Sequence, residues 1–168
     1  MSARTLVAGF GNVLRGDDGF GVEVIRRLQD RVSGVEPWGD VELLDVGTGG
    51  IRLAQELCGG YDRVIVVDAM QRGGPPGSVY VLAVDAPPTD DAIDTHLVVP
   101  SRALALARAL GVLPDDVVLV GCEPEPDTLD ELTLELSPRA RAGAARAVEA
   151  IVGLLARSPG QRAGAEHP

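Results

Sequence analysis

Between Arg63 and Asp68 the chain reads Arg-Val-Ile-Val-Val-Asp, four β-branched residues in a row held between two charges. A strand with no polar position on either face has to be covered on both sides, so this run predicts a central strand of a parallel sheet flanked by helices. Asp68 then falls at the C-terminal end of that strand, the edge at which open α/β sheets carry their ligands. Two earlier segments repeat the pattern. Residues Arg4 to Phe10 form an apolar run followed by the glycine loop Gly9-Phe-Gly-Asn-Val-Leu-Arg-Gly-Asp-Asp-Gly-Phe-Gly21, and Val41 to Val46 leads through Asp45 into Gly47-Thr48-Gly49-Gly50. Each is followed by helical periodicity: Val24, Ile25, Leu28 and Val32 share one face of a helix over Gly21 to Val32, and a second helix is expected over about Ile51 to Cys58.

The remainder of the chain completes the same architecture. Gly73-Gly74-Pro75-Pro76-Gly77 is a turn, and the connection to Ser78–Val84 is too short for a helical crossover, which predicts an antiparallel strand. Asp85 to Thr95 is a polar, proline-containing loop that delivers His96. A helix over Ser101–Leu110 closes at Gly111, Val117–Gly121 is a further buried strand, and Ser137-Pro138 supplies the N-cap and first-turn proline of a last helix over about Pro138–Ala156. The fold class expected is therefore a three-layer α/β domain spanning residues 1–157: a twisted, mostly parallel five-stranded sheet with one antiparallel strand and helices on both faces. Residues 158–168 lack an apolar pattern and are expected to be a disordered tail.

Composition narrows the function classes. The chain has 168 residues and a formal charge of −10, with its cations scattered among acids, which argues against a nucleic-acid surface. No apolar run approaches the roughly 18 residues of a membrane span, and the residues before the first strand show no export pattern. Cys58 and Cys122 are too few for a disulfide framework or a zinc knuckle, and a reduced, cytoplasmic protein is expected.

In an open parallel sheet the C-terminal strand ends share one edge, so Asp17, Asp18, Asp45 and Asp68 are expected around a common crevice. Carboxylates gathered there repel one another, and a divalent cation is a common relief. Of two histidines, His167 lies in the tail, leaving His96 to join Asp18 and Asp68 in an oxygen, oxygen, nitrogen set with open coordination positions. Such a set suits a metal-assisted reaction. Plainer roles stay open at this point: Asp18 as a helix cap, Asp68 as a turn residue, His96 as surface. Asp17 reads as a turn residue and dipole partner for the first helix, and Asp45 similarly. The glycine loop departs from Gly-x-Gly-x-x-Gly and is followed by acids, so phosphate binding is disfavoured. Cys122, beside Glu123 and Glu125, has the wrong surroundings for an activated thiol and reads as buried and structural. Gly-x-Ser-x-Gly and His-Glu-x-x-His are absent.

Gly9 to Gly21, the Asp45-Val-Gly-Thr48 turn, Val66-Val-Asp-Ala69, Thr95-His96 and Gly121-Cys-Glu-Pro124 occur in the order found in the hydrogenase maturation proteases, and from about residue 4 to 156 the chain resembles that family. Val46 replaces a glycine often found in the family's second turn. The resemblance implies an endopeptidase that trims the C-terminal extension of a [NiFe]-hydrogenase large-subunit precursor after nickel insertion, in the cytoplasm, with no nucleic-acid or membrane partner. It places both the catalytic and the metal-binding roles on Asp18, Asp68 and His96, with nickel belonging to the substrate and other divalent ions able to occupy the site. Two alternatives remain: a non-catalytic nickel-sensing chaperone of the large subunit, and a metal-dependent peptidase for another precursor. Asp85–Thr95 and Glu123–Leu134 are expected to flank the crevice and carry specificity.

Overall fold

The computed structural model describes residues 3–32, 39–84, 98–129 and 132–161. Its strands are β1 (Thr5–Phe10), β2 (Val41–Gly47), β3 (Arg63–Ala69), β4 (Val79–Ala83) and β5 (Asp116–Cys122), and its helices are α1 (Phe20–Val32), α2 (Ile51–Leu57), α3 (Val98–Ala109) and α4 (Pro138–Leu155). The strands form one five-stranded sheet in the order β2-β1-β3-β5-β4. β1, β2, β3 and β5 run parallel, and β4 pairs antiparallel with β5 at an edge.

Side-chain alternation along the strands divides the core in two. On one face Leu6, Ala8, Phe10, Val64, Val66 and Met70 pack against Leu53, Ala54 and Leu57 of α2 and Ala103, Leu104 and Ala107 of α3. On the other, Val7, Ile65, Val67 and Ala69 pack against Phe20, Val24, Ile25 and Leu28 of α1 and against Ala140, Ala144, Ala147 and Ile151 of α4. Every residue of β3 is buried, as its β-branched run requires.

α3 starts three residues before the expected position. Pro100 falls within its first turn, where a missing N–H removes no intrahelical bond. Between β1 and α1 the chain forms a 3-10 turn over Gly16–Gly19, which places both Asp17 and Asp18 before the α-helix. The start of the expected tail is held in place: Ser158 O accepts from Arg63 at 3.0 Å and Gly160 N donates to Asp116 Oδ2 at 2.8 Å. Residues 162–168 lie outside the described residues, as does the expected loop over residues 85–95.

The glycine loop is shaped by close backbone approach. A Cβ on Gly21 would stand 2.2 Å from both Phe10 O and Val67 O, so α1 can begin against β1 and β3 only without a side chain there. Both obstacles are main chain and cannot swing aside. Gly21→Ala is expected to cost about 3 kcal/mol, the upper end for overpacking, read as a lowered thermal midpoint; a midpoint equal to wild type would show that α1 can shift to make room.

Candidate active site at the C-terminal sheet edge

The sheet's parallel strands all end on the side from which the glycine loop leaves. The last β1–β3 pair joins Gly9 to Val67, and Asp68 is the next residue of β3, paired on its other side with Gly121 of β5. Asp68 therefore stands where β1 turns away into the loop. It shares the face of Val64, Val66 and Met70, the side covered by α2 and α3. The carboxylate is 5 % exposed, and its Oδ1 accepts the Ala69 N–H at 2.8 Å.

Asp18 is half-buried in the 3-10 turn, which packs against β3. Its main chain is confined on two sides: Asp18 N donates to Arg15 O at 3.1 Å, and its carbonyl oxygen lies where a Cβ on Gly11 would be, at 2.0 Å. Gly11 itself, at φ +141°, donates to Gly47 O at 3.0 Å, which ties the loop to the end of β2. Asn12 orders the next residues, accepting Leu14 N at its Oδ1 in a local Asx turn. The turn containing Asp18 and the end of β3 containing Asp68 are thus brought together by the β1–β3 pairing.

His96 lies outside the described residues. The helix that follows it in sequence, α3, packs on the Asp68 face. Among the described residues no group of three His, Cys, Asp or Glu side chains is arranged to hold a metal ion. The two carboxylates supply hard oxygen donors suited to a divalent ion, and a third, nitrogen donor would complete the set expected from sequence.

Asp45 reaches this edge, level with Gly9, but not the common crevice expected for it. It is exposed, and alternation sets it opposite to Leu44 and Val46, away from the Asp68 face; its carbonyl accepts from Arg52 at 2.9 Å. Val46 is buried in the core beside Gly47, which supplies the left-handed turn at φ +60°. Asp17 also differs from its expected role as dipole partner. It is 1 % exposed and accepts three hydrogen bonds from Glu125 and Ser137. No local pattern announces this, because both partners are more than a hundred residues away.

Glu123, at the start of the segment expected to flank the crevice, is buried. It accepts from Arg72 N at 2.8 Å, Gly73 N at 3.2 Å and Tyr80 OH at 2.8 Å, and so holds the chain leaving β3 beside Asp68. Burial and hydrogen bonding to this carboxylate raise the Tyr80 hydroxyl pKa. A cleft of about 310 Å³ opens on the α1–α4 side, lined by Val13, Gly19, Glu23, Arg27, Leu134 and Arg141 among others. Its charged walls are internally paired, Arg26 and Arg27 with Glu23 and Arg141 with Glu135, and it lies away from the Asp68 face.

Cys122 is fully buried, and its thiol is pushed up to about 12, first by burial and then by the charge of Asp17. It is no nucleophile at neutral pH. Because the folded-state pKa exceeds the ordinary value of 9.0, the neutral thiol stabilises the fold fully below pH 9 and this contribution is lost as pH rises toward about 12. Ellman's reagent at pH 8 is expected to label exposed Cys58 promptly and Cys122 only after denaturation; rapid labelling of both thiols in native protein would overturn this assignment.

Comparisons with known proteins converge. The family profile described as hydrogenase maturation protease matches residues 22–154. The coenzyme F420 hydrogenase subunit delta of Methanothermobacter thermautotrophicus is 31% identical over 152 residues, covering 89% of this chain and 93% of that protein. The hydrogenase expression/formation protein HoxM of Cupriavidus necator is 36% identical over 120 residues, 70% of this chain; the match spans 57% of HoxM's own length. Among solved structures, the hydrogenase maturating endopeptidase HybD from Escherichia coli superimposes with a TM-score of 0.77 at 30% identity, covering 91% of this chain and 92% of HybD.

Proposed function

This chain belongs to the hydrogenase maturation protease family, and from that premise we propose that it is an endopeptidase that removes the C-terminal extension of a [NiFe]-hydrogenase large-subunit precursor after nickel insertion. The observation that carries the reading is the pair of carboxylates at one sheet edge: Asp68 where β1 leaves the sheet, and Asp18 on the rigid turn that β1 enters. With His96 they form the proposed catalytic and metal-binding set. The nickel belongs to the precursor and is recognised as part of the substrate. When bound, the ion supplies Lewis-acid polarisation of the scissile carbonyl or of a water.

The protein's own contribution is placement. Asp68 has one oxygen committed to Ala69 N, which fixes the plane of the carboxylate. Asp18 is presented by a turn whose backbone cannot slide, because Gly11 abuts its carbonyl. No described helix is long and apolar enough to cross a membrane; we place the reaction in the cytoplasm on the strength of the family membership.

Incubation with nickel-loaded precursor followed by mass measurement of its C-terminus tests the proposal. A shortened precursor with wild-type protein, and an unchanged one with Asp18→Asn or His96→Ala, is the expected result. Full-length precursor after incubation with folded wild-type protein refutes it, and sustained nickel-dependent binding without cleavage would identify a chaperone in its place.

A further inference from the structure

We propose that Asp17 is the positioning residue for Asp18, holding the turn that bears it against the exit of β5 and the first turn of α4. This inference rests on the peptidase reading above.

Asp17 is charged, adjacent to Asp18 in sequence, and nearly inaccessible at 1 % exposure. Each of its oxygens is used. Oδ1 accepts Ser137 N at 2.7 Å, and Oδ2 accepts Glu125 N at 2.8 Å and Ser137 Oγ at 2.8 Å. Bonds to an ionised acceptor are short and strong, and these lengths fit that class. Ser137 is also the N-cap of the 18-residue α4, accepting from Ala140 N at 3.2 Å, so the carboxylate lies at the positive end of a long helix. One side chain therefore joins three separate segments: the loop after β1, the chain leaving β5, and α4.

The consequence for Asp18 follows from the main chain. Asp17 O accepts the Phe20 N–H that closes the 3-10 turn, and Asp18 O packs where a Cβ of Gly11 would stand. The Asp17 anchor and the Gly11 approach therefore both restrain the main chain that carries Asp18. An Asn at position 17 keeps the shape but turns an amide N–H toward donors, so the turn must rotate to avoid the clash. Misplacement of about 1 Å at a reacting group costs on the order of 100-fold in rate.

The test compares Asp17→Asn with wild type in single-turnover cleavage of nickel-loaded precursor, at a temperature where circular dichroism shows both fully folded. The expected result is a kcat lowered about 10- to 100-fold with KM within about twofold, since the groups that bind the precursor's body are untouched. A folded Asp17→Asn with wild-type kcat, or one whose kcat falls only in step with its folded fraction, overturns the proposal. Should Asp17→Asn fail to fold, Ser137→Ala and Ser137→Thr decide: kcat is expected to drop severalfold in the first and to be retained in the second, and equal kcat in both overturns it. Amide hydrogen exchange separates this inference from the peptidase reading. Faster exchange at Asp18 and Phe20 in Asp17→Asn is expected whether or not the precursor is cut, and unchanged exchange there overturns the positioning role by itself.

Discussion

Asp68→Asn is expected to lower precursor processing by about 10³-fold while leaving the protein folded. Asparagine keeps the volume of aspartate and an oxygen able to accept the Ala69 N–H, so the end of β3 retains its geometry. What is lost is the negative charge at the sheet edge, and removal of a group that binds a metal or handles a proton in the transition state typically costs 10²- to 10⁴-fold. The informative comparison is Asp45→Asn, which removes the same charge from an exposed carboxylate at the end of β2 on the other face. It is expected to process precursor at the wild-type rate. Equal activities for the two variants, each with an unchanged thermal midpoint, would remove Asp68 from the site.

Arg63→Met is expected to destabilise the fold by about 4 kcal/mol, the cost typical of breaking a buried ionic cluster by removing one partner. The guanidinium is 2 % exposed at the start of β3. It donates to Asp116 Oδ2 at 2.7 Å, to Leu154 O at 2.9 Å, to Arg157 O at 3.0 Å and to Ser158 O at 3.0 Å. Three of these acceptors are carbonyls at or just beyond the end of α4; Leu154 O also accepts Arg157 N at 3.1 Å and Ser158 O accepts Gln161 N at 3.2 Å, so Arg63 adds a further donor to that helix's C-terminal end from across the sheet. Methionine preserves much of the apolar stem but takes the cation from Asp116 and one donor from each of the three carbonyls. Urea unfolding is the measurement, with a lower midpoint at unchanged slope as the expected result; a loss below about 1 kcal/mol would show that water reaches those carbonyls and satisfies them in place of the guanidinium.

The two positions show how far the sequence can be read. Asp68 was legible because a strand's location follows from its own residues: a run of β-branched side chains is stable only when covered on both faces, and its end then lies at the ligand-bearing edge. The same local logic identified the glycine loop with Asp18, the antiparallel character of β4 from its short connection, and the capped start of α4 at Ser137. Arg63, by contrast, reads in sequence as a polar residue bounding a strand. Nothing near it announces that the end of α4, some ninety residues later, will be laid across it.

Asp17 and Asp45 make the same point at the site. Each is an acid after an apolar run, and local pattern assigns both to turns or helix starts. The register of β2 puts Asp45 on the solvent side of the α1–α4 face, whereas the packing of the first loop against Glu125 and Ser137 buries Asp17 completely. Sequence by itself determined the elements, their apolar faces and the acids delivered to the C-terminal edge, because these depend on periodicity and backbone preference within a few residues. Tertiary structure alone decided that Asp17 is a buried anchor while Asp45 lies exposed on the other face, because burial and hydrogen-bond satisfaction are settled by chain segments that meet only after the sheet has assembled.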